Sequence, residues 1–222
     1  LSVGVTSCVD GFVADGAGGC APVLPKEGCA PGTMTLPGET SCHLVAPCGD
    51  STYGDAPADA LHVDGSYAGA DSDGSLAHPY ARITDAIGAA RANAVIAIAA
   101  GNYVENLAVL RPMTLWGRCP SMVEVSGDPA KPKTYTVDVI ASSTVRGLAI
   151  TGPYQAISVR QGAVTLEGLW VHDAGEHGVD LQQPSSSTAG TQVTLKNSLV
   201  ERNHWSGILV LGARGESFLR HA

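Results

Sequence analysis

The chain has 222 residues with 13 Lys and Arg against 21 Asp and Glu, a formal net charge of −8, and 44% apolar residues. A chain of that size can bury a real core, and the shortage of basic residues excludes a binder of phosphate backbones, which needs a basic stripe. The longest uncharged apolar run, Ala94 to Ala100, is far too short to cross a bilayer.

Residues 1 to 60 form a first segment of distinct character. Cys8, Cys20, Cys29, Cys42 and Cys48 are separated by glycine and proline, with few long apolar side chains among them. Such a stretch cannot fold by packing alone, so disulfides must supply what the core lacks. Cys119 is the sixth cysteine, and the expected pairing joins it to one of the five, although six cysteines allow 15 connectivities. Zinc is the rival reading, but there is no C-x-x-C pair and only His43 is nearby. Disulfides imply export. Since the chain opens at Leu1 without a basic n-region or an apolar h-region, a signal sequence is expected to have been removed or omitted. The acidity is concentrated here: residues 1 to 73 carry ten acidic side chains and one lysine, so the rest of the chain sums to +1.

Asp64-Gly-Ser-Tyr-Ala-Gly-Ala-Asp71-Ser-Asp73-Gly-Ser75 follows, an oxygen-rich, glycine-bent segment. Asp64, Asp71 and Asp73 are weak candidates for calcium, because the EF-hand spacing is not met and no bidentate glutamate follows. Asp-Gly-Ser also reads simply as a turn into a helix. From Pro79 to Ala92, Ile83, Ala86, Ile87 and Ala90 recur at helical spacing and predict one amphipathic helix over about 79–92. Its narrow, alanine-rich stripe suits a cap laid over the end of a solenoid. Val95 to Ala99, Gly101 to Leu110 and Met113 to Gly117 then read as strands of the first coils.

The rest of the chain repeats itself. Val164 to Leu181 lies on Val193 to Val210 with a shift of 29 residues and no gap, and an earlier copy from Val145 aligns at a shift of 21, slipping to 22 near Ile157. Strands repeating at such a period predict a solenoid whose coils cover one another. Within a coil Leu166, Leu169, Val171, Val179 and Leu181 alternate inward and Glu167, Trp170 and Asp180 outward, if Gly147, Gly168 and Asn197 reset the phase at one corner. The expected fold is all-β, a parallel β-helix of about three strands per coil. An antiparallel sandwich is the competitor, but Asn-Gly and Asp-Gly hairpin loops are missing from residues 135 to 212.

Asp73-Gly-Ser, Pro79-Tyr-Ala-Arg-Ile and Asp85-Ala-Ile, then Gly101-Asn-Tyr-Val-Glu105 and Met113-Thr-Leu-Trp-Gly117, resemble the opening of pectin-lyase-like right-handed parallel β-helix proteins. The resemblance spans residues 71 to 212 and implies that fold, with a leaning toward polysaccharide. It carries over no catalytic residue. Only Asp180 lies on the strand where pectate lyases gather calcium-binding aspartates, and its stacked neighbour is Leu209. The chain also lacks the Asp-Asp pair and Gly-His-Gly turn of polygalacturonase-like hydrolases, having Glu176-His177-Gly178 instead, and a pectin-esterase-like aspartate pair is absent. Residues 8 to 54 resemble small cysteine-rich modules of secreted and lipid-anchored bacterial surface proteins.

Polar chemistry is richest at His172, Asp173, Glu176, His177 and Asp180, beside Glu201, Arg202, Asn203, His204 and Trp205 of the next coil. The shift places Glu201 over His172, Arg202 over Asp173 and Trp205 over Glu176. Stacked opposite charges make a structural ladder; alternatively Glu176, His177, Asp180, Glu201 or Arg202 performs acid–base work on a glycosidic bond. Trp170 and Trp205, with His172 and Asp173, are the candidate sugar contacts, since an exposed indole is a platform for a sugar ring. Trp170 and Leu199 could equally be covered by the N-terminal module or by the Pro184 to Thr191 insertion. Trp116 is expected near the Cys119 tether, and His62, His78 and His221 carry no assigned role. Taken together these features describe a monomeric bacterial extracellular or cell-surface protein that binds polysaccharide without cleaving it. A lyase or hydrolase of acidic glycans, or a purely structural scaffold, are the alternatives. No cofactor is expected beyond the possible calcium.

Overall fold

The computed structural model describes residues 7–182 and 191–211, and the backbone of 219–221. It divides into two compact units, Leu1–Val45 and Ala46–Ala222.

The first unit contains two small antiparallel ribbons. β1 (Phe12–Ala14) pairs with β2 (Cys20–Pro22), and β3 (Thr33–Met34) with β4 (His43–Leu44). Each ribbon carries one disulfide, Cys8–Cys20 or Cys29–Cys42. Val9, Val13, Leu24, Leu36 and Leu44 are all exposed, so there is little core here for packing to use. Gly11 and Gly38 meet closely: with φ of 84° and 100°, they allow two backbones to cross where a Cβ on Gly11 would lie 2.4 Å from the Pro37 oxygen.

The second unit is a parallel β-helix. β5 (Leu61–Val63) precedes helix α1 (Ile83–Ala89), and five coils follow, each made of three strands. The first coil comprises β6 (Ala94–Ile98), β7 (Gly101–Val104) and β8 (Leu107–Val109). The second has β9 (Met113–Gly117), β10 (Val123–Ser126) and β11 (Val137–Val139), and the third β12 (Thr144–Arg146), β13 (Ala149–Thr151) and β14 (Ile157–Val159). The fourth consists of β15 (Ala163–Glu167), β16 (Trp170–His172) and β17 (His177–Gln182). β18 (Gln192–Lys196), β19 (Leu199–Glu201) and β20 (Ser206–Leu211) complete the fifth, and β21 (Leu219–His221) pairs with β18. Every strand of a coil is hydrogen-bonded to its counterpart in the next, which gives three parallel sheets, and none of these pairings is antiparallel.

The register is the one that the repeat predicts. Leu166 opposes Leu195, Val171 opposes Val200 and Val179 opposes Ile208, each 29 residues apart. In the preceding coil Val145 opposes Leu166 at 21 and Ile157 opposes Val179 at 22. Leu166, Leu169, Val171, Val179 and Leu181 are buried together with Val145, Ile150 and Ile157 in a continuous core. The phase reset has the expected cause: Gly147, Gly168 and Asn197 all have left-handed backbones, with φ of 66°, 57° and 49°.

Two expectations need correction. Helix α1 is half the predicted length, because Arg82 is extended, Tyr80 is bridged to Val63, and Ala90 leaves the helix with ψ near 140°. Ile83, Ala86, Ile87 and Ala90 are nevertheless buried, and α1 packs on β5, β6 and β8 at the start of the stack. Both helix ends are held by the first coil. The buried Glu105 carboxylate accepts from the Ile83 and Thr84 amides at 2.9 Å and from the Thr84 hydroxyl. Arg111 donates to the Ala90 and Gly88 carbonyls at 2.8 and 2.9 Å and to that of Ile87. A carboxylate at the N-terminus and a guanidinium at the C-terminus suit the helix dipole and satisfy amides and carbonyls a short helix leaves open. Thus the glutamate of Gly101-Asn-Tyr-Val-Glu105 has a mechanical reason. The second correction is Asp180, which alternates outward but is fully buried, with the Gln182 side chain folded back to donate to it.

Cys119 pairs with Cys48, a bridge lying wholly within the second unit. Nearby, Tyr53 and Ala60 pack on Ala97 and Ala99 of the first coil. The Gln183 to Gly190 part of the insertion and residues 212–218 lie outside the described residues.

Candidate functional site

The structure sorts the polar cluster into two groups. One lies on the outer face of the sheet containing β10, β13, β16 and β19. Here Asp173 and Arg202 occupy the same left-handed corner of successive coils, with φ of 49° and 52°, and His172 opposes Glu201. Arg202 grips both oxygens of Asp173 at 3.1 and 2.9 Å and also bonds Glu201. Asp173 further engages His172 Nδ1 at 2.8 Å, so the guanidinium first and the imidazole second hold its carboxyl below the usual range. The buried His172 ring stacks on Trp170 with centroids 3.7 Å apart, and the Trp170 indole N–H donates to Glu201 at 2.9 Å. On its other side His172 Nε2 lies 3.5 Å from Glu124 Oε2 of β10. That reach across β13 exists because the residue in register between Glu124 and Trp170 is only Ala149. Most polar atoms of this group are engaged by another member of it; the exception is the buried His172 Nε2, which has the 3.5 Å approach to Glu124 but no hydrogen-bond partner among the described residues. Trp170 is half-buried, its ring covered by His172 and faced by Arg202, so it offers no free platform.

The second group follows the turn that leads into β11, β14, β17 and β20. Ile157, Val179 and Ile208 oppose one another in register, and the residues three positions before them are Tyr154, Glu176 and Trp205. Backbone hydrogen bonds from Glu176 N to Tyr154 O (3.2 Å) and from Trp205 N to Glu176 O (3.0 Å) tie these rungs together. Tyr135, one position out of this register, lies beside the end of the row with its ring centroid 5.6 Å from that of Tyr154. The result is an aromatic, carboxylate, aromatic row with rungs roughly 4.8 Å apart and a second tyrosine beside it. Trp205 is 62% exposed and meets the edge of His177, with centroids 5.3 Å apart. His177 shares a hydrogen bond with Ser206 at 2.7 Å, and Glu176 receives one long bond from Gln155 Nε2 at 3.4 Å. On the same coils, buried atoms without a partner among the described residues are Gln155 Oε1, Ser158 Oγ, Asp180 Oδ1 and Asn203 Nδ2. Burial, with a lesser contribution from Glu176, pushes the Asp180 carboxyl up against the lowering influence of Gln182 and His177.

The remaining candidates are occupied locally. Asp64 accepts from Ser66 N and Oγ, Asp73 from Ser75 N, and Asp71 from the Tyr67 hydroxyl at 2.5 Å. Among the described residues no three His, Cys, Asp or Glu side chains converge as a metal site. His43 lies 3.2 Å from Glu39, and His78 3.5 Å from Asp71. His62 is buried against the edge of Tyr53, and the His221 side chain lies outside the described residues. Trp116 lies under the Arg146 guanidinium, 4.0 Å from its ring centroid. Tyr135 and Tyr154 are absent from the sequence reading of the cluster. The signal was present, since the 22-residue slip at Ile157 brings Tyr154 into line with Glu176.

A family model described as a protein of unknown function (DUF1565) matches residues 67–214, about two thirds of the chain. The chain belongs to that family. No curated protein and no solved structure matches it. The DUF1565 span takes in α1, all five coils and both polar groups, and leaves out Leu1–Val45.

Proposed function

We propose that this DUF1565 protein is a non-catalytic polysaccharide-binding β-helix of the pectin-lyase-like type, secreted or displayed at a bacterial cell surface, and a monomer. Its three disulfides place it outside the cytoplasm, and no described helix is long and apolar enough to cross a membrane. The observation that carries the reading is the row of Tyr135, Tyr154, Glu176 and Trp205. Aromatic rings on nearby rungs, with a carboxylate on the rung between two of them and one indole open to solvent, suit a chain of sugar rings that stack and donate hydroxyl hydrogen bonds. Co-sedimentation with insoluble neutral, amino and acidic polysaccharides tests it. At least one should retain the protein, and Trp205→Ala and Tyr154→Ala should each release it; unchanged retention in both variants would sink the proposal.

Cleavage is the second reading, and one observation favours it. A buried carboxyl with a raised affinity for its proton, Asp180, stands close enough to Glu176 to feel its charge, the asymmetry that general acid and base require. New reducing or unsaturated ends from the same panel, lost in Asp180→Asn, would establish it over simple binding.

A further inference from the structure

The proposed binding row also specifies the charge of its ligand, and we infer that it takes a glycan bearing free amino groups. This rests on the row being the binding surface. Among the described residues, the cations of the third to fifth coils are already committed. Arg160 is held by Asp138, Arg202 by Asp173 and Glu201, and Arg146 and Lys196 share Glu167 at 3.8 and 3.3 Å. A uronate or sulfate seeking a counter-ion on these coils would have to break one of these pairs. Lys133, two residues before Tyr135, is exposed with no ion pair among the described residues, and it is the one cation that argues the other way.

The anionic side is not committed in the same way. Among the described residues Glu176 receives one hydrogen bond, the 3.4 Å amide contact from Gln155, and its rung lies between those of Tyr154 and Trp205. The buried unpartnered atoms on the same coils are mostly acceptors, Gln155 Oε1 and Asp180 Oδ1 with the Ser158 hydroxyl, against one amide donor, Asn203 Nδ2. A carboxylate on the rung between a tyrosine and an exposed indole, with no ion pair among the described residues, attracts an ammonium and repels an anion.

Oligomers with one backbone and different charge separate these cases. The intact protein is titrated calorimetrically with glucosamine oligomers at a pH where their amines are charged, with N-acetylglucosamine oligomers of equal length, and with galacturonate oligomers. The free amine should bind at least tenfold more tightly than the acetylated form, and galacturonate should bind least. Glu176→Gln should erase most of that preference while Trp205→Ala weakens both amino-sugar ligands, and Lys133→Ala should weaken neither. Equal affinity for amine and acetylated oligomers, or tighter binding of galacturonate, overturns the charge inference but leaves the row standing if Trp205→Ala still abolishes binding. If no oligomer binds, or if Trp205→Ala changes nothing, the binding row itself fails and the inference with it.

Discussion

Two polar groups lie on neighbouring parts of the same coils, and they differ in how far their members satisfy one another. In the Trp170, His172, Asp173, Glu201 and Arg202 group the indole N–H, both oxygens of Asp173 and the imidazole Nδ1 all bond within the group. In the Tyr135, Tyr154, Glu176 and Trp205 row the carboxylate has one long contact and the indole is open to solvent. The difference shows that charge density alone is a poor guide to function. A largely closed network, with only His172 Nε2 left without a hydrogen bond among the described residues, uses its capacity to fix adjacent coils, whereas the open row keeps that capacity for something outside the chain.

Substitutions can separate the two roles. The largest effect on stability is expected from His172→Ala, which removes a buried ring, takes one partner from Asp173 and uncovers the Trp170 face; about 2 to 3 kcal/mol should be lost in chemical denaturation, with polysaccharide retention intact. Trp205→Ala should do the reverse. Removing an exposed aromatic anchor is expected to weaken retention by about thirtyfold, or ~2 kcal/mol, while the denaturation midpoint hardly moves.

Proton linkage gives a subtler contrast. Because the folded Asp180 carboxyl titrates above its unfolded value, it favours folding most below the unfolded pKa and that contribution disappears as pH rises through the folded pKa. Asp173 has the opposite sign: its stabilisation is present above the unfolded pKa and is lost as pH falls through the lowered folded value. Stability curves against pH should therefore flatten on the neutral side in Asp180→Asn and on the acid side in Asp173→Asn; identical curves for wild type and both variants would show that neither carboxyl is perturbed. The smallest effect belongs to Arg202→Ala. Its ion pairs are half exposed, so a loss of about 1 kcal/mol or less is expected, measurable as a slight fall in thermal midpoint that salt reduces further.

The stacking of the coils was legible in the sequence because it follows from periodicity. Leu166 over Leu195 and the bend residues Gly147, Gly168 and Asn197 could be placed by counting, and so could Arg202 over Asp173. What counting cannot supply is the path of a long side chain. Glu124 reaches His172 across an intervening strand only because Ala149 is small, and Asp180 is buried by a neighbour on its own strand. Capping of α1 by Glu105 and Arg111 is illegible for the same reason, since partners more than twenty residues away decide where a seven-residue helix can end. In the first 45 residues spacing specified even less. Its cysteines could be named, but their pairing depends on where two short ribbons bring them.

Hydroxyl-radical footprinting of the intact protein, with and without a polysaccharide that retains it, tests the division between the two groups most directly. The account expects protection at Tyr135, Tyr154 and Trp205 with no change at Trp170 or His172. Protection of Trp170 and His172 while Trp205 stays reactive would contradict it, and would make the Trp170 and His172 network the place where the glycan lies.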